Sequence, residues 1–114
     1  GAAVLEDVTF VTGASALSDD RVESLAELAA YLADNPARRV VLVGHTDTEG
    51  TLEANIALSR ARAAAVRRHL IEIHGTNPDQ IEADGIGYLS PRASNADALG
   101  REANRRVEVV LIAN

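Results

Sequence analysis

Asp47 and Arg62 are the two side chains of this sequence best matched to a small zwitterion. Asp47 offers an anion to an ammonium group, and Arg62 offers a fork of N–H donors to a carboxylate. Asp47 falls in the run Gly44-His45-Thr46-Asp47-Thr48-Glu49-Gly50, just past the apolar stretch Val40-Val41-Leu42-Val43. A loop leaving a buried strand holds functional groups above a rigid scaffold. Arg62 follows Asn55 by seven residues in a segment that reads as helix. At about 100° per residue they lie within roughly 20° of each other, two turns apart. Ser59 falls between them, so Asn55, Ser59 and Arg62 form a polar stripe that can line a cleft with Asp47 at its mouth. Charge-assisted hydrogen bonds contribute about 1.5 to 3 kcal/mol each. Two of them plus Asn55 support roughly micromolar binding, about −8 kcal/mol, in a preformed cleft. The same residues also fit a plainer role, Asp47 and Arg62 as an internal ion pair tying loop to helix and Asn55 as the cap of a turn.

Other polar residues carry weaker signals. His45, Asp47 and Glu49 alternate, and on an extended segment they would place three ligand types on one side, a pattern that can suggest a metal. The plainer expectation is that His45 buttresses the loop through a hydrogen bond. His69 and His74 have no Ser or Cys partner at a recognisable spacing and read as surface or helix-end residues. Gly85-Ile86-Gly87 lacks the rest of a dinucleotide fingerprint and reads as a glycine pair where backbones approach closely. Arg105 and Arg106 flank the last strand, one directed to the cleft and the other to solvent, while Arg101 and Asn104 organise the preceding loop. No metal and no cofactor are implied.

The elements that must position these groups are legible in the hydrophobic pattern. Val4 to Val11 reads as a strand closing at Gly13. Ser18 is a candidate N-cap, with Asp19 and Asp20 in the first turn of a helix. Val22, Leu25, Ala29 and Leu32 form its apolar stripe, and Asn35-Pro36 ends it. Val40 to Val43 reads as a strand covered on both faces. A longer helix from Thr51 to Ile73 places Leu52, Ile56, Ala63, Val66, Leu70 and Ile73 on one side and leaves Arg60, Arg67 and Glu72 to solvent. Gly75-Thr76-Asn77-Pro78 terminates it. A third strand runs from Ile81 to Gly87, a polar loop with a short helix fills Leu89 to Asn104, and Arg106 to Ile112 makes the last strand. This order predicts an α+β, two-layer fold with a mixed four-stranded sheet covered by helices on one face. Its second and third strands are parallel neighbours and its last strand returns antiparallel.

Composition narrows the partners. At 114 residues the chain is expected to form a single domain over 1–114. Eleven basic against seventeen acidic residues give a net charge of −6, which would repel a polyphosphate strand, so nucleic acid is not an expected partner. All eleven basic residues are Arg, so any one Arg is weak evidence of a need for bidentate pairing. There is no Cys, which removes disulfides and thiolate metal sites and leaves the redox compartment open. No apolar run approaches the roughly 18 to 20 residues of a membrane span. The chain opens at Gly1 rather than Met, as expected of an excised or processed piece, from which a signal or anchor could have been removed.

The run from Gly44 to Asp47, then Gly50, Asn55, Leu58-Ser59 and Arg62-Ala63, resembles the signature of OmpA C-terminal domains, shared with peptidoglycan-associated lipoproteins and flagellar stator B subunits. The resemblance extends to Gly85-Ile86-Gly87, Pro91, Asn95, Gly100-Arg101 and Asn104-Arg105-Arg106-Val107-Glu108, and back to the strand around Phe10, covering nearly the whole chain. It implies a βαβαββ domain that binds peptidoglycan without covalent attachment. In that family the residues matched by Asp47 and Arg62 hold the amino and carboxylate ends of diaminopimelate. The residues matched by Asn55 and Arg105 border the site, as do backbone groups around Thr46 and the first-strand exit near Thr12. Many members carry an Asp directly after the first-strand Phe, whereas this chain has Val11, so a side-chain contact there is lost while a backbone contact would survive.

The function so implied is anchoring of a parent envelope protein to the cell wall, in the periplasm of a Gram-negative bacterium. The ligand is the diaminopimelate-type stem peptide, held without enzymatic activity. The domain itself is not membrane-spanning, and its parent is expected to be anchored in the outer or inner membrane. Two alternatives come from other classes: a protein-interaction domain that kept the fold and lost the ligand, and a metal-dependent peptidoglycan hydrolase built on His45 and its acidic neighbours. A hydrolase needs a nucleophile or an open metal site with three protein ligands, and only the His45, Asp47, Glu49 alternation approaches that.

Overall fold

The computed structural model describes residues 2–5, 8, 10, 15, 17 and 22–112. Among these the elements are β1 (Ala2–Val4), α1 (Glu23–Asp34), β2 (Arg39–Gly44), α2 (Leu52–His74), β3 (Ile81–Gly85), α3 (Ala98–Asn104) and β4 (Val107–Ile112), with a single 3-10 turn at Pro78–Gln80 ahead of β3. Helix α1 buries Leu25, Ala29 and Leu32 and ends where Asn35 donates its side-chain amide back to the Tyr31 carbonyl. Helix α2 starts at Thr51, whose hydroxyl accepts from Ala54 N at 3.1 Å, and stops at Gly75. Gly75 takes a left-handed conformation, φ 69°, that lets its N–H and that of Thr76 cap the last carbonyls.

The body of the sheet is mixed. β2 pairs in parallel with β3, from Val40 opposite Ile81 to Gly44 opposite Gly85. It pairs antiparallel with β4 on its other side, from Arg39 opposite Ile112 to Gly44 opposite Val107. Three residues of β1 add antiparallel to the far side of β4, giving the order β1-β4-β2-β3. The register sets Gly44, Gly85 and Val107 side by side at one end of the sheet. The chain therefore leaves β2 toward Asp47, leaves β3 toward Gly87 and enters β4 from Arg105, all at the same edge.

Close contact between helix and sheet fixes this end. A Cβ on Gly44 would overlap the Ser59 carbonyl, and one on Gly85 would overlap the Ser59 hydroxyl and the Arg60 nitrogen. Only glycine lets α2 descend this far. Ser59 Oγ meanwhile accepts from Gly87 N at 3.0 Å and donates to the Ile56 carbonyl at 2.9 Å. Below that contact Ala63, Val66 and Leu70 of α2 join Leu25, Leu32, Val40, Leu42 and Ile81 in one aliphatic core.

The structure departs from the sequence reading in several places. β2 is not covered on both faces: Val40 and Leu42 are buried, whereas Val41 and Val43 are only half-covered. Its continuous apolar run reflects a partly shielded second face rather than a second helix layer. The described strand at the N-terminus is Ala2–Val4, and Leu5, Val8 and Phe10 are buried outside any strand. Helix α1 begins at Glu23 with Val22 extended ahead of it, and Ser18, like Val11, Thr12 and Gly13, lies outside the described residues. On α2, Ile73 is 62% exposed because the helix outruns the sheet beneath it, while His69, expected on the surface, is buried. Arg67 is not left to solvent but donates to the carbonyls of Ile81 at 2.9 Å and Pro78 at 3.1 Å, closing the start of β3 onto the helix.

Candidate functional site

Asp47 sits three residues past the end of β2 and is only 4% exposed. Its Oδ2 accepts from Arg105 Nη1 at 2.6 Å and its Oδ1 from the Glu49 backbone N–H at 3.0 Å. Thr46 orients this carboxylate through the backbone: its N–H donates to the Gly87 carbonyl at 2.8 Å and its hydroxyl to the Asp47 carbonyl at 3.0 Å. Asn55, buried in the first turn of α2, donates its amide to the carbonyls of Glu49 at 2.7 Å and Thr51 at 2.9 Å. The loop is thus fastened to both sheet and helix before any ligand arrives.

Arg62 is 1% exposed, with its guanidinium carbon 5.1 Å from the centroid of the Phe10 ring, a cation–π contact. Burial pushes its pKa below the ordinary arginine value; the neighbouring Arg105 adds to that fall, and Asp47 opposes it. Arg62 remains charged at physiological pH. Among the described residues, one buried carboxylate therefore faces two guanidiniums. A carboxylate placed between Arg62 and Arg105 would relieve their repulsion, while Asp47 could take an ammonium through its remaining lone pairs.

The structure brings Asp47, Arg62 and Arg105 within electrostatic reach of one another, with Thr46 and Asn55 shaping the loop between them. Thr12 lies outside the described residues. Several expectations need correction. The ion pair made by Asp47 is with Arg105, not Arg62, and neither Asp47 nor Arg62 stands open at a cleft mouth. The polar stripe Asn55, Ser59, Arg62 is buried, because the glycines of β2 and β3 draw that face of α2 onto the sheet. Arg106 does not point to solvent: its guanidinium is buried against Glu108, at 2.7 Å from Nε and 2.6 Å from Nη2.

His45, Asp47 and Glu49 turn to different partners. His45 Nε2 meets Glu108 Oε2 at 2.8 Å, and the exposed Glu49 carboxylate lies 3.8 Å from Arg101 Nε. Among the described residues no group of three or more His, Asp or Glu side chains is arranged to hold a metal ion. Asn104 organises the preceding loop, as its sequence position suggests. Its Oδ1 accepts from Arg92 N at 2.7 Å and Ala93 N at 2.9 Å, and its Nδ2 donates to Ala93 O and Asn95 Oδ1 at 2.8 Å each. Arg101 adds a bond to the Asn95 carbonyl at 3.2 Å. The sequence reading gave no role to Glu108 or to its link with His45. The available signal was the Arg106, Glu108 spacing, which puts both side chains on one face of a strand.

An α+β layer structure with a buried carboxylate and two guanidiniums at the exit of its central strand defines the class. The chain belongs to the OmpA family, which it matches over residues 9–105. It is 36% identical over 106 residues to Outer membrane protein A of Bordetella avium, covering 93% of this chain and 54% of that one. It is 41% identical over 99 residues to the Peptidoglycan-binding protein ArfA of Mycobacterium tuberculosis, covering 87% of this chain and 30% of that protein. The chain thus spans about half or less of the length of these two relatives. Among solved structures, the peptidoglycan-associated lipoprotein from Burkholderia pseudomallei superposes with a TM-score of 0.85 at 35% identity, covering 92% of this chain and 88% of that one.

Proposed function

We propose that residues 1–114 form one non-enzymatic domain that binds peptidoglycan through the diaminopimelate residue of its stem peptides, anchoring a parent envelope protein to the wall. The observation that carries this reading is the Asp47, Arg62, Arg105 constellation: a buried carboxylate and a buried guanidinium beside the half-buried Arg105 at the sheet end. Diaminopimelate ends in an ammonium and a carboxylate on one carbon, and this constellation offers a partner to each. Asp47 takes the ammonium, Arg62 the carboxylate, Arg105 and Asn55 border them, and the backbone near Thr46 and Thr12 completes the contact. The scaffold is the two-layer βαβαββ sandwich, with β1 as fourth strand of the sheet and the helices over one face. Relatives bearing the names peptidoglycan-associated and peptidoglycan-binding support this reading, as does their envelope setting for a periplasmic location. Among the described residues no helix is long and apolar enough to cross a membrane, so membrane attachment falls to other parts of the parent.

One observation favours a second reading, a domain that keeps the fold without the ligand: both Asp47 oxygens already accept hydrogen bonds. Incubation with purified sacculi separates the readings. Co-sedimentation without release of soluble fragments supports wall binding. Failure to sediment supports the interaction domain, and release of fragments supports a hydrolase.

A further inference from the structure

We propose that the buried cluster of His45, Arg106 and Glu108 positions Asp47 and Arg105, and that protonation of His45 withdraws this support, making the grip on ligand pH-dependent. The proposal rests on the reading of Asp47 and Arg105 as groups at the ligand site. Glu108 Oε2 is shared: it accepts from Arg106 Nε at 2.7 Å and lies 2.8 Å from His45 Nε2 and 2.6 Å from Arg106 Nη2. The same two segments are joined again by His45 N donating to the Arg106 carbonyl at 2.8 Å. His45 stands two residues before Asp47, and Arg106 directly follows Arg105. The Asp47–Arg105 bridge of 2.6 Å therefore spans two strands of chain whose separation the cluster sets.

Neutral His45 fits this arrangement. Its Nε2 lies 2.8 Å from Glu108 Oε2, and its Nδ1, buried, makes no hydrogen bond among the described residues. A proton on Nδ1 would put a second cation beside one carboxylate. The Ser90 carbonyl favours the protonated ring, yet it already accepts from Arg106 Nη2 at 2.9 Å. Imidazolium and Arg106 would then compete for the same two acceptors, Glu108 and Ser90. If Arg106 yields, the adjoining Arg105 moves away from Asp47. Among the described residues, the charged groups facing His45 are Arg106 and Glu108; burial and Arg106 lower its pKa from the ordinary 6.5, opposed by Glu108 and Ser90. The neutral, supporting form thus prevails at neutral pH, and the proton enters only below the ordinary 6.5.

The test follows affinity and structure together from about pH 8 to about pH 5, the range in which histidine titrates. Calorimetry with a stem peptide ending in meso-diaminopimelate gives affinity. NMR follows the His45 ring and the Glu49 amide, which donates to Asp47 Oδ1. In the wild type, affinity should fall below the His45 inflection by up to about tenfold per pH unit, the limit for one linked proton. The Glu49 amide should follow the same inflection without ligand. Glu108→Gln should move the ring, amide and affinity inflections together to lower pH, because Glu108 holds the His45 pKa up. His45→Gln should remove the inflection. A Glu49 amide that ignores His45 titration overturns the proposal, whether or not the peptide binds. So does a constant loss of affinity at every pH in both variants, which marks a merely structural cluster. Absence of peptide binding at every pH sinks the functional reading instead, and the NMR titration still decides the coupling. Should Glu108→Gln fail to fold, wild type and His45→Gln suffice for the decision.

Discussion

Replacing Arg62 by Ala and by Met separates its packing from its charge. Arg62 heads the fully buried side chains by volume, at 1% exposure. Truncation to Ala should leave a cavity comparable to that of a large apolar residue, costing about 2 to 4 kcal/mol. At roughly 4 °C per kcal/mol for a chain of this size, the melting temperature should drop by about 8 to 16 °C. Met keeps most of the volume without the charge. The lost contact with Phe10 is worth about 0.5 to 2 kcal/mol. Against it stands relief from burial and from Arg105, which together outweigh the support of Asp47. Arg62→Met should therefore cost less than Arg62→Ala. Both variants should lose sacculus binding. Thermal unfolding by circular dichroism, with co-sedimentation on the same samples, measures both effects. If Met destabilises the fold as much as Ala, the charge of Arg62 is structural and the reasoning fails.

Three further outcomes follow from the geometry. Gly85→Ala should cost about 3 kcal/mol or more in urea unfolding, because its Cβ meets the Ser59 hydroxyl and the Arg60 backbone; a loss under about 1 kcal/mol would mean that α2 can lift without penalty. His45 has a folded pKa below its unfolded value of 6.5, so the unfolded chain binds more protons. Its contribution to stability should be fully present above pH 6.5 and fall as the pH drops from there through the folded pKa, a slope that His45→Gln flattens. Asn104→Ala removes four hydrogen bonds around residues 92–95. It should cost about 2 to 4 kcal/mol and speed amide exchange at Arg92 and Ala93.

Much of this arrangement is readable in the sequence because local patterns carry it. Leu25, Ala29 and Leu32 announce the buried face of α1, Gly75 marks the end of α2, and the helix crossover dictates the parallel β2, β3 pair. The errors fall where long-range packing decides. Asn55, Ser59 and Arg62 share a helical face as their spacing requires. Whether that face lines a cleft or lies buried depends on Gly44 and Gly85, which α2 meets only in the folded state. The partner of Asp47 is 58 residues away, and nothing local distinguishes Arg105 from Arg62 for that role. Burial of His69 and the docking of Arg67 onto the start of β3 were equally hidden, since a polar side chain on a helix carries no mark of what it will cover.

The most direct test of the account is calorimetry of this domain with two stem peptides, one bearing meso-diaminopimelate and one bearing Lys at the same position. Lys keeps the apolar stem and the distal amine but lacks the distal carboxylate assigned to Arg62. Losing that charge-assisted interaction, about 1.5 to 3 kcal/mol, should weaken binding roughly 10- to 150-fold. Equal affinities would contradict the assignment, even for a domain that still binds cell walls.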